Sequence, residues 1–429
     1  MKFLIKILAF NLFFTNGYAQ NISFKWVKKE ALFYDDIAPF KKGLALTTLN
    51  NKEGLINKLG EEVCPPKYDK IVFFYQNYDG IDLSDSLLNK MYYTPVEYNY
   101  SQYTILVKLN NKWGCIDKTG KEIIPLKYEK IMGFSEGLAT VQLNGKWGFI
   151  DKIGKEVIPC KYESTLGFSE GLAVIRLNSK WGFIDKTGKE VIVPQYELVS
   201  RFSEGLSSVK RLHQWGFGFI DKTGKEVIPF QYDRTYPFEN GFAVIEKNAR
   251  KGLIDRTGKE VISPIFQDLI YSTKKLFIAE LPNHKYGVVD YNGKEVIPFK
   301  YDYISPFKEG LSEVQLGKKW GLIDETGKEI WSIKYDEIVY NHEQVSFVAK
   351  LDGKLIIIDK TGKELIFSKY LAISPFHKGV AFMMVNDKFG VINQKGKEII
   401  LPTYDCVKLF SEGVAPVQLD GKWGILTIK

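Results

Sequence analysis

Histidine is scarce in this chain, and so is any other residue set that would bind a metal. The four histidines occupy unrelated positions, and none has the spacing to cysteine or acid that a metal site requires. They are His213, His284, His342 and His377. A phosphate-binding loop is not indicated either, because the glycines are spaced as in hairpins and do not precede helices. The sequence therefore predicts no metal, no cofactor and no enzymatic activity.

Cysteine is equally rare, with four residues in 429. A disulfide that belonged to the repeat described below would recur at one position of that repeat, but the four cysteines fall at four different positions. They are Cys64, Cys115, Cys160 and Cys406. We expect them to be small buried apolar residues and not bridges, although an exported chain would permit disulfides.

Hydrophobic runs of membrane-spanning length are also missing. Near the N-terminus, Lys2 and Lys6 precede the apolar run Ile7 to Phe14, and small residues lead up to Ala19. This pattern predicts a signal peptide at residues 1–19, and its apolar part is too short to span a bilayer. The alternative is a buried first strand or helix. No cysteine follows the predicted cut, so no lipid anchor is indicated, and we expect an exported chain that is periplasmic, at the cell surface or secreted.

The charge is of mixed sign. The formal charge of +8 falls to +6 once Lys2 and Lys6 leave with the signal peptide. Many of the lysines lie in a repeated Thr-Gly-Lys-Glu turn, so each is followed by an acid. Such a surface argues against a nucleic acid partner and weakly favours acidic glycans or lipid headgroups.

What the chain has in abundance is one repeated segment, seen clearly as KWGFIDKIGKEVIP from Lys146 to Pro159. We call the position of its tryptophan the Trp slot. The slots recur about every 34 residues, except for one step of 60 that marks an insertion at about 73–104. They are Glu53, Trp113, Trp147, Trp181, Phe217, Lys251, Tyr286, Trp320, Leu355, Phe389 and Trp423.

Each repeat is predicted to be a three-stranded meander. Asn144-Gly145 is a strong signal for a type I′ hairpin turn, and Gly154 predicts a second hairpin loop that closes with a left-handed residue. Pro159 ends the third strand, since it lacks the N–H of a ladder. A connector follows, whose Tyr162 and Phe168 we expect to be buried between units. The Asp of each Trp-Gly-Phe-Ile-Asp run, such as Asp151, is interpreted as a turn residue and not as catalytic.

An isolated meander of this size would be marginal in water, so neighbouring copies must cover it. We therefore predict one all-β array over residues 20–429, of about eleven units of 34 residues. The count favours an open solenoid or superhelix. The alternative is a closed propeller-like ring, because the half-unit at residues 31–43 and the last two strands complement one another, although closed propellers usually have four to eight blades.

The insertion is the best candidate for a contact site. Insertions in repeat arrays map to loops on one face, which is often the binding face, and tyrosine gives a large contact area at little entropic cost. The alternative is a tolerated surface loop without function. The tyrosines of this candidate contact loop are Tyr75, Tyr78, Tyr92, Tyr93, Tyr98, Tyr100 and Tyr103.

The repeats resemble those of the WG-repeat proteins, which are named for a Trp-Gly pair. The pairs are Trp113-Gly114, Trp147-Gly148, Trp181-Gly182, Trp320-Gly321 and Trp423-Gly424. The resemblance implies a bacterial, exported, β-rich array and transfers no catalytic residues. The chain departs from the pattern at Glu53, Lys251 and Leu355, and Trp215-Gly216 followed by Phe217-Gly218 is a slip of two residues.

The sequence thus favours a non-catalytic repeat scaffold that binds a protein or glycan of the cell envelope. Many near-identical units suit avidity or reach better than chemistry, which needs unique residues. Two alternatives stay open, a glycan-acting enzyme of the envelope and a passive structural spacer.

Overall fold

The computed structural model describes residues 22–25, 34–73, 105–273, 275–339, 346–359, 363–367, 370–374, 376–377, 379–393 and 395–428. Within these residues the protein contains only strands, turns and loops. No helix long and apolar enough to cross a membrane occurs among them.

In the described residues the strands form eleven consecutive units in ten antiparallel sheets, and within each unit the strands lie side by side in chain order. Strand β1 (Ile22–Lys25) precedes unit 1. Units 1 to 5 comprise β2 (Asp36–Ile37), β3 (Leu44–Leu49), β4 (Lys52–Asn57), β5 (Glu62–Tyr68); β6 (Lys70–Phe73), β7 (Ile105–Leu109), β8 (Lys112–Ile116), β9 (Glu122–Tyr128); β10 (Lys130–Ser135), β11 (Leu138–Leu143), β12 (Lys146–Ile150), β13 (Glu156–Tyr162); β14 (Ser164–Ser169), β15 (Leu172–Leu177), β16 (Lys180–Ile184), β17 (Glu190–Val199); and β18 (Leu206–Arg211), β19 (Phe217–Asp221), β20 (Glu226–Tyr232).

Units 6 to 11 repeat the same order, with the last unit one strand short. They comprise β21 (Arg234–Thr235), β22 (Phe242–Lys247), β23 (Arg250–Asp255), β24 (Glu260–Phe266); β25 (Asp268–Thr273), β26 (Leu276–Glu280), β27 (Tyr286–Asp290), β28 (Glu295–Tyr301); β29 (Tyr303–Ile304), β30 (Leu311–Leu316), β31 (Lys319–Asp324), β32 (Glu329–Tyr335); β33 (Glu337–Val339), β34 (Ser346–Leu351), β35 (Lys354–Asp359), β36 (Glu364–Phe367); β37 (Ala372–Ile373), β38 (Val380–Val385), β39 (Lys388–Asn393), β40 (Glu398–Tyr404); and β41 (Cys406–Val407), β42 (Val414–Leu419), β43 (Lys422–Ile428).

A complete sheet therefore has four strands and not the three expected from the sequence. The extra strand is the end of the segment interpreted as a connector, which pairs with the second strand, as β14 does with β15. The chain passes from one sheet to the next within a residue or two, except between β36 and β37, because the fourth strand of one unit bends directly into the first strand of the next. In β17 the bend is gentle enough that units 4 and 5 share one seven-stranded sheet.

The predicted turns are confirmed. Asn144 and Gly145 have φ of 51° and 71°, so both central residues of the hairpin adopt the left-handed conformation that a type I′ turn requires. In the second turn Gly154 has φ of 81° and donates its N–H to the carbonyl of Asp151 at 3.0 Å. The local residue choices thus specify both hairpins of a unit.

The core lies between the sheets. Eleven clusters of buried apolar side chains are found in the described part of the chain, and each joins two neighbouring units. In one of them Phe149 and Tyr162 of unit 3 pack with Phe168 of unit 4, and the two phenyl rings meet edge to face at 4.9 Å. As predicted, Tyr162 and Phe168 are fully buried. A unit taken alone would expose half of each core it shares, so the units fold only together.

The ends of the array contact one another. One of the eleven clusters contains Ile37 and Phe40 of unit 1 and Trp423 and Ile425 of unit 11. Strand β1 pairs antiparallel with β43, from Ile22 opposite Ile428 to Lys25 opposite Ile425, and so supplies the fourth strand that unit 11 lacks.

The hydrogen bonds at this junction repeat those between internal neighbours. The hydroxyl of Ser411 donates to the carbonyl of Phe40 at 2.5 Å, just as Ser169 donates to Phe202 at 2.8 Å. The all-β tandem array is confirmed, and of the two arrangements considered, the contacts between its ends are those of the closed ring.

Candidate functional site

The Trp-Gly pairs lie on the third strand of each unit, where that strand meets the fourth. Trp147 stands opposite Tyr162 in the ladder, and the register shifts between this pair and the next one, Phe149 and Ile158. Residues 159–161 of the fourth strand therefore lie opposite one residue of the third, which makes a bulge. The same pairing recurs at Trp113, Trp181 and Trp320 with Tyr128, Tyr196 and Tyr335.

In four of the five pairs the glycine is required because the bulge presses onto it. A Cβ added to Gly148 would lie 2.6 Å from the carbonyl oxygen of Ile158 and 2.7 Å from the amide nitrogen of Cys160. Both atoms belong to the backbone and cannot turn aside. Gly114, Gly182 and Gly321 meet similarly close atoms, so these glycines are structural.

The Trp slot itself packs against the first strand of the next unit. Tyr303, 17 residues after the slot residue Tyr286, lies 6.2 Å from the Tyr286 ring and 5.8 Å from the ring of Trp320, the next slot. In unit 1 the slot holds Glu53, which pairs with Lys70 at 3.0 Å, and in unit 6 it holds Lys251, which pairs with Asp268 at 2.5 Å. The slot lies near enough to solvent for an ion pair to replace an aromatic contact. The tryptophans of the five pairs are all buried or half-buried, so they are packing residues.

The recurring Asp after each third strand initiates the second turn, as predicted. Oδ1 of Asp255 accepts the backbone N–H of Thr257 at 2.9 Å, the Thr257 hydroxyl at 2.6 Å and the N–H of Lys259 at 3.1 Å. The hydroxyl hydrogen bond from Thr257 leads the effects that lower the pKa of Asp255. Three donors on one oxygen leave this carboxylate committed to its turn.

A second set of acids closes the first hairpin. In six units the acid after the tyrosine that ends the fourth strand accepts backbone N–H groups of the turn between the next unit's second and third strands, 15 to 17 residues later. Glu129, for example, accepts the N–H of Asn144 at 3.1 Å and of Gly145 at 2.8 Å. Where this residue is Asp336, it also binds Lys319 at 2.7 Å, and that hydrogen bond lowers the pKa of Asp336.

A third set of acids joins neighbouring units. Glu170 lies in the turn between the first two strands of unit 4 with φ of 52°, a left-handed conformation that a glutamate rarely adopts. It accepts the N–H of Gly205 in unit 5 at 2.9 Å and pairs with Lys222 at 3.1 Å. Sequence reasoning missed this role, and the recurring Ser-Glu-Gly and Asp-Lys-Thr-Gly segments were the signal that could have shown it.

The same contact closes the ring. Glu412 of unit 11, with φ of 52°, accepts the N–H groups of Lys42 and Gly43 in unit 1, the latter at 2.8 Å. It also pairs with Lys58 at 2.9 Å. The closing interface is thus built from the same groups as an internal one.

Three further sequence predictions concern the candidate contact loop, the cysteines and metal binding. The candidate contact loop with Tyr75 and Tyr103 falls in residues 74–104, outside the described residues. All four cysteines are free thiols, Cys64 and Cys115 buried and the other two half-buried, and burial raises the pKa of Cys115 to about 12. No group of three or more metal-ligating side chains occurs in the part of the chain that the structure describes.

The slip in unit 5 places one tryptophan on the surface. Phe217 occupies the Trp slot there, opposite Tyr232 and 5% exposed. Gly218 makes the close approach, since a Cβ added to it would lie 2.6 Å from the carbonyl oxygen of Ile228. Trp215 is left outside the repeat on the loop from Leu212 to Gly216, with 67% of its surface exposed. It is the one exposed tryptophan among those described.

Comparison with known proteins identifies the repeat. A family model described as WG containing repeat matches eleven segments of the chain. They are residues 34–52, 54–78, 113–147, 147–181, 181–211, 217–250, 252–279, 286–320, 320–354, 357–389 and 389–423. No curated protein matches the sequence.

Solved structures resemble the chain only loosely. A eukaryotic initiation factor is 12% identical, with 76% of this chain and 96% of that chain covered and a TM-score of 0.43. Virginiamycin B lyase from Staphylococcus aureus is 15% identical, with 54% and 94% covered and a TM-score of 0.23. The extracellular domain of a one-component system from B. thetaiotaomicron is 10% identical, with 91% and 64% covered and a TM-score of 0.21. Scores this low carry no argument about this protein.

Proposed function

Because this chain belongs to the family of proteins built from the WG containing repeat, we propose that it is a non-catalytic scaffold that binds a protein or glycan. We further propose that it is bacterial and exported, and that it works at the cell envelope. The pattern of residues 1–19 supports export, as the sequence predicts a signal peptide there.

The proposal rests on the hydrogen bonds that the recurring acids make. Asp255, Glu129 and Glu170 represent three sets that repeat around the ring, and each is bound to backbone N–H groups of a turn. A carboxylate held in this way is a poorer general base or nucleophile, since part of its accepting capacity is committed to the turn. The repeated surface therefore favours recognition over chemistry, which needs unique residues that converge in one place.

The experiment is a binding assay on the mature chain, residues 20–429. The purified chain is immobilised and exposed to an envelope extract, beside a variant in which residues 75–103 are replaced by a short Gly-Ser linker. The expected result is an envelope component that the complete chain retains and the linker variant loses, followed by direct binding of that purified component. Equal melting temperatures of the two chains serve as the folding control.

Two results would overturn the proposal. If neither chain retains anything, the passive spacer becomes the better interpretation. Turnover of a glycan that one acid-to-amide change abolishes would establish an enzyme.

A further inference from the structure

The loop from Leu212 to Gly216, here called the Trp215 loop, is a local departure from the repeat. In nine units the second and third strands are joined by a two-residue turn such as Asn144-Gly145, whereas five residues join β18 to β19 and also β26 to β27 in unit 7. Because Phe217 fills the Trp slot, Trp215 has no packing role in the ring. A tryptophan that is 67% exposed leaves most of its large apolar surface in water.

The loop is held in place at both of its ends. The N–H of Gln214 points to the carbonyl of Arg211 at 3.5 Å, and His213 is left-handed, with φ of 59°. Gly216 has φ of 89°, and a Cβ on it would lie 3.2 Å from the carbonyl oxygen of Tyr232. The loop therefore rests against the fourth strand of its own unit, and Trp215 is presented from an anchored backbone.

Charged groups with fixed positions lie at the base of the loop. Nη1 of Arg211 is 3.1 Å from Oε2 of Glu226, and the guanidinium stacks on the ring of Phe230 at 4.3 Å. Both charged side chains keep about two fifths of their surface exposed. The pair offers hydrogen-bond donors and acceptors beside the ring of Phe230. His213 and Gln214 are exposed on the loop itself.

The exposed apolar surface here is small and interrupted. Val227 on the same fourth strand is 37% exposed, but it lies four residues from Gln231, against which the loop rests, or roughly 13 Å at about 3.3 Å per residue. Leu212 is the remaining exposed apolar side chain of the loop. One indole ring of about 150–250 Å² cannot by itself anchor a stable protein interface, which buries about 1,200 Å² or more.

We propose that the Trp215 loop binds a pyranose ring of a glycan. A pyranose has an apolar C–H face that stacks on an indole and hydroxyl groups around its edge that need both donors and acceptors. Trp215 supplies the stacking face for one ring, and Arg211 and Glu226 supply donors and an acceptor to a neighbouring ring of the same glycan. This inference rests on the proposed scaffold function and names the ligand class for one site on it.

The affinity of a single sugar should be low. One pyranose ring has few non-hydrogen atoms to contact the protein, so its Kd should be on the order of millimolar. A longer oligosaccharide that also meets Arg211 and Glu226 should bind more tightly. Such binding suits a protein that holds a polymer by several weak contacts.

The test titrates the mature chain with cellotetraose, chitotetraose, maltotetraose and a tetragalacturonate, read by saturation-transfer NMR and by tryptophan fluorescence. We expect at least one probe to bind. Trp215→Ala should then weaken binding at least about tenfold, since it removes the stacking face, and Trp215→Phe should keep a part of it. Ile153→Ala, which removes another exposed apolar side chain from a turn of unit 3, is the matched control and should bind as the unaltered chain does. Because Trp215 lies outside every buried cluster, all variants should melt alike.

The possible results distinguish failure of the glycan site from failure of the scaffold function. If no probe binds, or if Trp215→Ala binds as well as the unaltered chain, the proposal is overturned. If the envelope component captured by the complete chain proves to be a protein whose binding Trp215→Ala abolishes, the loop is a protein contact and the glycan assignment is wrong. Capture that survives Trp215→Ala leaves the scaffold function standing without this site.

Discussion

At the scale of single residues, the repeat is fixed by close approaches and left-handed turns. Four glycines of the Trp-Gly pairs lie under the bulge of the fourth strand, where even a methyl group would collide with backbone; they are Gly114, Gly148, Gly182 and Gly321. The acids that recur nearby are held by turn N–H groups, as Asp255 is by Thr257 and Lys259. Packing and turn formation explain why the pattern Trp-Gly-x-x-Asp recurs, and no catalytic role is needed to account for it.

Gly148→Ala tests the close approach. The new Cβ would meet the Ile158 carbonyl at 2.6 Å, so the bulge must move, and we expect a loss of about 1–3 kcal/mol in the free energy of unfolding. Gly145→Asn is the control, because asparagine already occupies the equivalent turn position at Asn51 and Asn111 and tolerates positive φ. Chemical denaturation of both variants measures the difference, and equal stability would contradict the steric explanation.

Asp255 permits a pH test. Its pKa is lowered in the folded chain, so its hydrogen bonds stabilise the fold above the unfolded pKa of about 4, and this contribution is lost as the pH falls through the folded pKa. Asp255→Ala should cost about 1 kcal/mol at neutral pH because the turn N–H groups lose their acceptor.

Asp255→Asn is the matched control, since Asn57 and Asn393 hold the same turn in units 1 and 10. It should keep the stability at neutral pH and melt with a weaker dependence on pH between about 5 and 2. If Asp255→Asn loses stability on acidification as much as the unaltered chain does, other carboxylates govern the acid sensitivity of the fold.

At the scale of elements, the four-stranded sheet is incomplete in one place and is completed from the far end of the chain. Unit 11 has three strands of its own, and β1 adds the fourth by pairing with β43. A strand edge left open there would expose unpaired N–H and C=O groups, which promote self-association.

Removal of β1 tests this closure. A chain that begins at residue 28 should melt lower than the chain that begins at residue 20, and amides of Lys422–Ile428 should exchange with solvent faster, because their ladder partner is gone. Self-association should rise as well, measured by light scattering. Unchanged exchange in β43 would show that β1 does not pair there in solution.

At the scale of the whole molecule, every unit has two neighbours. The cluster that joins unit 11 to unit 1 completes a set of eleven, so no unit in the described part of the chain needs an atypical cap. Open arrays need such caps at their ends, because the last core would otherwise face water.

A matched pair of double variants distinguishes the ring from an open array. Ser411→Ala with Glu412→Ala removes the Ser-to-Phe40 bond and the Glu-to-Gly43 bond at the junction. Ser169→Ala with Glu170→Ala removes the same bonds between units 4 and 5. In the ring both should lower the free energy of unfolding by similar amounts, about 2–3 kcal/mol for the lost hydrogen bonds. In an open array the junction variant would unfold like the unaltered chain.

The sequence by itself determined the repeat, its period, its all-β class and its turns, because these follow from local chemistry. Asn144-Gly145 and Gly154 specify hairpins through backbone conformations that few residues adopt. The buried positions of Tyr162 and Phe168 followed from their recurrence, since a residue repeated in every unit is what lets units stack.

Only the tertiary structure decided how the units close. Whether Glu412 meets Gly43 depends on a small rotation accumulated over eleven units, and no single repeat encodes that sum. The first strand of each sheet was missed for a related reason, since it lies in the segment interpreted as a connector and its pairing with the second strand depends on the tertiary fold. The exposure of Trp215 was likewise decided by the tertiary structure. Two adjacent aromatic-Gly pairs compete for one Trp slot, and packing places Phe217 there and leaves Trp215 exposed.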